Sequence, residues 1–262
     1  MTAPTVTALT TTGTSPAGTS PALVRLGPVG RARVRLLCFP QAGGGTATFR
    51  PLSCELPGEI DLLALRLPGR ETRRREPPFR RMDDVVAALA GELDGYRDLP
   101  LAMFGYCAGS YTMFELARHL LRTGRTAPAA LFVCASAGPV IINRTRNVHL
   151  MPDQEFKAYL NEFRLTPEAI LADPNLFGIF EPAIRADFEV YETDPFVPGD
   201  AVDIPFSVIG ARDDASVAFD ELLEWREHTT GPFTLRVLPG GHNFFTTGVS
   251  ALGGFIANDL AG

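Results

Sequence analysis

The chain has 262 residues, 45% hydrophobic and 21% charged, with a formal net charge of −6. That length supports one large core, and the composition is that of a globular protein. The acidic balance argues against general nucleic-acid binding, which needs a basic surface. No stretch approaches the roughly 20 uninterrupted apolar residues of a membrane span. The four cysteines, Cys38, Cys54, Cys107 and Cys134, form no Cys-x-x-Cys pair and no cluster with histidine, so neither a metal site nor a disulfide framework is expected. A reduced, cytoplasmic setting fits that usage.

Residues 1–24 are read as a disordered N-terminal tract, because Met1 to Pro21 is rich in Thr, Ala, Pro and Ser. It lacks the basic and apolar regions of a signal peptide. Residues 25–262 are read as a single domain.

In chain order, Ala22 to Val29 offers a first strand, interrupted at Gly27-Pro28. Arg33 to Phe39 is the next, ending at Pro40-Gln41-Ala42-Gly43-Gly44-Gly45, and a helix is expected from Thr46 to Leu56. Ile60 to Leu67 reads as a strand. An arginine-rich loop follows it, and Val85, Val86, Leu89 and Leu93 mark one face of a helix over Met82 to Tyr96. Leu101 to Tyr106 is a strand leading into a helix over Ser110 to Arg122. Ala129 to Ala135, Ile204 to Gly210 and Phe233 to Leu238 complete the strands. Strands alternating with helices imply a mostly parallel sheet covered on both faces. Between about 138 and 200 the alternation gives way to helical segments (Asp153 to Phe163, Pro167 to Ala172, Pro182 to Glu192), the pattern of an inserted helical lid.

The chemistry centres on Gly105-Tyr106-Cys107-Ala108-Gly109. A glycine-flanked nucleophile between a strand and a helix is the elbow of the α/β-hydrolase fold, with cysteine where serine is usual. The flanking glycines leave room for a sharp turn. A helix N-terminus and a nearby histidine favour the thiolate. Of the four histidines, His119 and His228 fall in helices and His149 in the lid. His242 alone follows a late strand, in the turn Pro239-Gly240-Gly241-His242, and is the candidate base. The acid belongs on a strand-end loop between nucleophile and base. Gly210-Ala211-Arg212-Asp213-Asp214 supplies it, with Asp213 as the first choice and Asp214 as the alternative. Backbone N–H groups of Ala42 and Ala108 are the candidate oxyanion donors.

These segments together resemble the type II thioesterases of polyketide and non-ribosomal peptide pathways, over about Arg35 to Gly253. The most specific pieces are Cys38-Phe39-Pro40-Gln41-Ala42-Gly43-Gly44, Leu67-Pro68-Gly69-Arg70-Glu71, Arg185-Ala186-Asp187-Phe188, Trp225 and Gly240-Gly241-His242-Asn243-Phe244-Phe245. The resemblance implies an α/β-hydrolase fold with a helical lid, a monomer, and a triad of Cys107, Asp213 and His242. Its substrates would be acyl thioesters on phosphopantetheinyl carrier proteins, with no cofactor of the enzyme's own. Two departures stand out. Gln41 replaces a usual histidine, and the elbow is Gly-Tyr-Cys-Ala-Gly where the family has Gly-His-Ser-Met-Gly. A cysteine elbow resembles enzymes that move acyl or aminoacyl groups between two carriers.

A thiol that attacks a thioester forms another thioester, so the exchange lies near balance, and each tenfold of equilibrium is only about 1.4 kcal/mol. Transfer to a second carrier or another nucleophile is therefore favoured over hydrolytic editing. A catalytically inactive carrier-binding protein is the reading from another class. Arg66, Arg70, Arg73, Arg74, Arg75, Arg80 and Arg81 crowd one segment of this acidic chain. They are read either as a solvated loop or as a patch for an acidic carrier, with Arg70 and Arg73 the candidates for binding its phosphopantetheine phosphate.

Overall fold

A computed structural model describes residues 20–27, 30–141 and 147–261; the expectation for Met1 to Thr19 lies outside the described residues. Within residues 1–24 the expectation of disorder is corrected at its end, because Leu23–Arg25 forms strand β1. Ser20 Oγ accepts the N–H groups of Ala22 and Leu23, and Leu23 pairs with Leu65.

Strand β2 (Val34–Phe39) leads to helix α1 (Arg50–Glu55). Strand β3 (Ile60–Leu65) is followed by helix α2 (Met82–Glu92). Strand β4 (Leu101–Tyr106) runs into helix α3 (Ala108–Arg122), and strand β5 (Ala130–Cys134) follows. The strands lie in the order β1-β3-β2-β4-β5 and continue with two later ones. Among the described residues only the β1–β3 pairing is antiparallel. Every residue of β3 and β5 is buried, as parallel strands covered on both faces require.

Successive strand residues point to opposite faces. Leu37, Leu63, Met103, Val133 and Val208 join one core with α2 and α3. Their neighbours Leu36, Leu62, Ala102, Phe132 and Ile209 join the other, with Phe49 and Leu52. The two clusters sandwich the sheet, as the sequence pattern implies.

After β5 come helices α4 (Asp153–Glu162), α5 (Glu168–Ala172) and α6 (Pro174–Thr193). They build a lid with its own small core, in which Val148, Phe156, Leu160, Phe177, Ile184 and Phe188 pack onto Ala42. Helix α6 is nearly twice as long as expected. Asp173 caps it, accepting from Asn175 N and Leu176 N, and the helix continues through Pro182. Proline is tolerated because packing of the lid core compensates for the one lost backbone bond.

Strand β6 (Phe206–Ala211), helix α7 (Phe219–Leu223) and strand β7 (Phe233–Leu238) extend the sheet. Helix α8 (Val249–Ala261) closes the second face. No sequence signal marked α8, since Gly253-Gly254 in its middle are weak helix formers. The structure gives a reason for the first of them: a Cβ on Gly253 would lie 2.7 Å from Cβ of Glu55, so glycine lets α8 approach α1. Trp225 is fully buried, and its indole N–H donates to Ser136 O at 2.9 Å, tying the turn after β5 to the segment after α7. Among the described residues no helix is long and apolar enough to cross a membrane.

Candidate active site

The nucleophile turn is held by its backbone. Cys107 has φ of 52° and its N–H donates to Cys134 O at 2.8 Å, across to β5. A Cβ on Gly105 would sit 2.3 Å from the Cα of Ser110, and one on Gly109 would sit 2.3 Å from Phe39 O. Both flanking positions therefore exclude any side chain, and the start of α3 lies directly against the end of β2. Ser110 Oγ donates to Gly105 O at 2.8 Å and braces the turn from inside.

His242 Nε2 lies 3.4 Å from Cys107 Sγ, as the sequence suggested. The acid is different. His242 Nδ1 is 2.9 Å from Oδ2 of Asp214, whose side chain is 1% exposed. Asp213, the first choice, is corrected: it is exposed, and its backbone N–H donates to Gly240 O at 2.9 Å. Backbone pairing with the β7 side continues past the end of β6 through Arg212 and Asp213, so the chain turns inward one residue later than expected. Asp214 Oδ1 then accepts the N–H groups of Ser216 (2.8 Å) and Val217 (3.2 Å), fixing the carboxylate in an Asx turn.

Ser216 is a member of the site that sequence reasoning missed. Its hydroxyl donates to Asp214 Oδ1 at 2.7 Å, and its oxygen lies 2.7 Å from His242 Nδ1. With Nδ1 protonated, one N–H is thus shared between two acceptors that are themselves hydrogen-bonded. The Asp-x-Ser spacing of an Asx turn was the available signal. The remaining histidines are otherwise engaged or remote: His149 pairs with Glu192 at 2.6 Å, His228 with Glu224 at 2.6 Å, and His119 stays in α3.

Burial alone would lower the imidazole of His242. The charge of Cys107 and the hydrogen bond to Asp214 outweigh it and push the pKa up to about 10. Burial would likewise raise the Asp214 carboxyl, yet the hydrogen bond to His242 and those to Ser216 hold it below the usual range. The arrangement lines up a thiol, an imidazole and a carboxylate, the set of groups that acyl transfer through a thiol requires. Cys38 and Cys134, by contrast, are fully buried and their thiols are pushed well up. All four cysteines are free.

The loop after β2 is gripped from two sides. Arg70 Nη1 donates to Gly44 O at 2.8 Å and Nη2 to Asp187 Oδ1 at 2.7 Å. Asp187 Oδ2 accepts the Gly43 N–H at 2.7 Å, while Glu71 Oε1 accepts the Thr46 N–H at 2.7 Å. The Leu-Pro-Gly-Arg-Glu and Arg-Ala-Asp-Phe segments thus have one physical task, to clasp the loop that carries Ala42. Gly43 has φ of 71°, and a Cβ there would strike Ile184 at 2.5 Å, so the loop can nest under the lid only with glycine. Ala42 is buried in the lid core and Ala108 packs against it. Ala108 is the first residue of α3, where a backbone N–H has no intrahelical acceptor.

The same geometry corrects the assignment of Arg70 and Arg73 to phosphate. Arg70 is buried in its clasp, and Arg73 donates to Glu76 and to Arg66 O. Of the other arginines in the run, Arg80 pairs with Glu189, and Arg74 and Arg75 are exposed.

Beside Cys107 a cavity of about 190 Å³ opens under the lid, walled by Tyr111, Tyr159, Phe163, Phe188 and Tyr191. Ser216 and His242 also face it. Among the described residues no cluster of His, Cys, Asp or Glu could hold a metal ion.

Residues 34–260 match the family model "Thioesterase domain". The gramicidin S biosynthesis protein GrsT of Aneurinibacillus migulanus is 34% identical over 213 residues, 81% of this chain and 83% of that protein. Thioesterase PikA5 of Streptomyces venezuelae is 32% identical over 219 residues, 83% of this chain and 78% of that protein. Among solved structures, the type II thioesterase BorB from the borrelidin biosynthetic cluster superposes with a TM-score of 0.83 at 33% identity, covering 91% of this chain and 97% of BorB. The thioesterase RedJ of the prodiginine pathway in Streptomyces coelicolor gives 0.81 at 30% identity, with 87% and 91% covered. An elbow nucleophile aligned with histidine and aspartate, a lid after β5 and a family match spanning nearly the whole sheet agree: the chain belongs to the thioesterase family, enzymes of α/β-hydrolase fold that act on acyl thioesters.

Proposed function

We propose that this enzyme moves acyl or aminoacyl groups between phosphopantetheinyl carrier proteins of non-ribosomal peptide or polyketide biosynthesis, through an S-acyl-Cys107 intermediate. The observation that carries the reading is a cysteine, not a serine, at the head of the Cys107–His242–Asp214 relay. Sγ of Cys107 attacks the carbonyl carbon of the first carrier's thioester. The N–H groups of Ala42 and Ala108 hold the developing oxyanion. As the carbon–sulfur bond to the carrier breaks, His242 Nε2 gives its proton to the departing thiolate. The thiol of the second carrier then loses its proton to His242, attacks the same carbon and expels the Cys107 thiolate. Bonds made and broken are alike in both halves, so the relay runs in either direction.

Hydrolytic editing is the second reading, favoured by the thioesterase names of its relatives. To separate the two, the enzyme is mixed with an acylated carrier and a second, empty carrier, and intact masses are followed. Transfer predicts acyl mass on the second carrier and on Cys107. Free acid released at a rate indifferent to the second carrier would overturn it.

A further inference from the structure

The three members of the relay come from three strand ends: Cys107 follows β4, Asp214 follows β6 and His242 follows β7. Asp214 holds the imidazole from the Nδ1 side, and on the Nε2 side its partner is Sγ of Cys107. That second partner is lost during the reaction. Once Sγ carries an acyl group it has neither a proton nor a full negative charge, and such a sulfur is only a weak acceptor. The imidazole must still stay over the elbow, because the next nucleophile gives its proton to Nε2.

Tyr106, the last residue of β4, supplies another link. It pairs with Cys134 of β5, and its side chain is buried in the same core as Phe104 and Phe245. Its hydroxyl donates to Asn243 Oδ1 at 3.2 Å and lies 3.4 Å from His242 O, one O–H between two acceptors. The ring is 23° from parallel to the His242 imidazole, with centroids 6.4 Å apart, and Phe245 stacks on it at 5.0 Å. Among the described residues, the hydrogen bonds from β4 and its elbow to the His242 turn are the Sγ–Nε2 contact and this hydroxyl. Burial, with the charge of Cys107 beside it, pushes the phenol well above its usual range, so it keeps its proton even where His242 titrates.

We infer that Tyr106 is a positioning residue for the second half of the reaction, holding the His242 turn in register with the elbow while Cys107 is acylated. The inference rests on the S-acyl-Cys107 intermediate of the proposed function and holds for a thiol or for water as acceptor. In the free enzyme the Sγ–Nε2 contact already aligns the imidazole, so the hydroxyl adds little to the first half. In the second half the acceptor's proton passes to Nε2 as its sulfur or oxygen bonds to the acyl carbon. The bond from that carbon to Sγ breaks, and Cys107 leaves as the thiolate. Throughout this step the Tyr106 hydroxyl ties the base to β4 without using the reacting sulfur.

The test separates the two halves. Enzyme is mixed with butyryl-N-acetylcysteamine and quenched at intervals, and the butyryl mass on Cys107 is followed as it forms. Its decay is followed after excess pantetheine is added as the acceptor thiol. In Tyr106→Phe, formation should stay within about twofold of the wild type while decay slows about tenfold, the scale of one hydrogen bond. Asn243→Ala should slow decay with the same selectivity, and the double variant should be no slower than the slower single one, since both changes remove one link. Formation and decay slowed alike would make Tyr106 merely structural and overturn the assignment. Unchanged decay, or single effects that multiply in the double variant, would overturn it too. Turnover of the thioester with no butyryl mass on Cys107, in wild type and variants alike, would instead overturn the proposed function itself.

Discussion

The strand-end loops and the lid hold the same site by different means. At the C-terminal ends of the strands, Cys107 and Asp214 are fixed by backbone: a turn with no room for Cβ atoms, a bond to Cys134, and an Asx turn. Besides its apolar core, the lid and the loop beneath it are held by carboxylate side chains, Asp187 on Arg70 and the Gly43 N–H and Glu192 on the N–H groups of Val148 and His149. Backbone fixes position in a way that a neighbouring carboxylate cannot replace. Charge clasps are strong where buried, yet they can be undone one residue at a time.

The sharpest way to break that comparison lies within two adjacent residues of the loop after β6. Asp214→Asn should lower kcat at least about a hundredfold, less than in a serine triad because a thiol depends less on its base. Asp213→Asn should change it less than about twofold, because that side chain faces solvent. Steady-state rates on one acyl thioester decide, and equal losses would reject the assignment of the acid.

The clasp is the next target. Asp187→Ala strands the buried Arg70 and should cost about 3–5 kcal/mol of stability, read by urea unfolding. The loop carrying Ala42 should loosen too, lowering kcat more than it raises KM. A variant with unchanged stability would mean that the lid is held elsewhere.

Ser216→Ala should have a smaller effect than Asp214→Asn, about tenfold in kcat, since it removes one acceptor from a charged donor. The pH profile makes it diagnostic. His242 is protonated up to about pH 10, so wild-type acyl release should fall as pH rises through that value. Loss of an acceptor destabilises the imidazolium, so the falling limb should move to lower pH in Ser216→Ala, and further in Asp214→Asn. A limb that does not move would make Ser216 merely structural.

The sequence was most legible where chemistry imposes glycine. Gly105 and Gly109 marked the elbow, Gly240-Gly241 marked the turn of His242, and apolar runs marked the strands of the sheet. It was least legible where neighbours compete for one role. Asp213 and Asp214 differ only in how far backbone pairing continues past β6, which composition cannot show. The arginine run misled for a related reason, since charge on a loop says nothing about burial, and Arg70 turned inward to Asp187. Helix α6 was foreshortened because Pro182 reads as a start, while its true cap, Asp173, lies nine residues earlier.

The central claim is that sulfur at residue 107 chooses the acceptor. Its most direct measurement is the two-carrier experiment repeated with Cys107→Ser, scored as the ratio of acyl mass on the second carrier to free acid. A serine ester lies below a carrier thioester, so return to a thiol becomes uphill while water remains a sufficient acceptor. The account predicts that the ratio falls at least about tenfold, equivalent to about 1.4 kcal/mol. A serine variant that transfers with the wild-type ratio would contradict it.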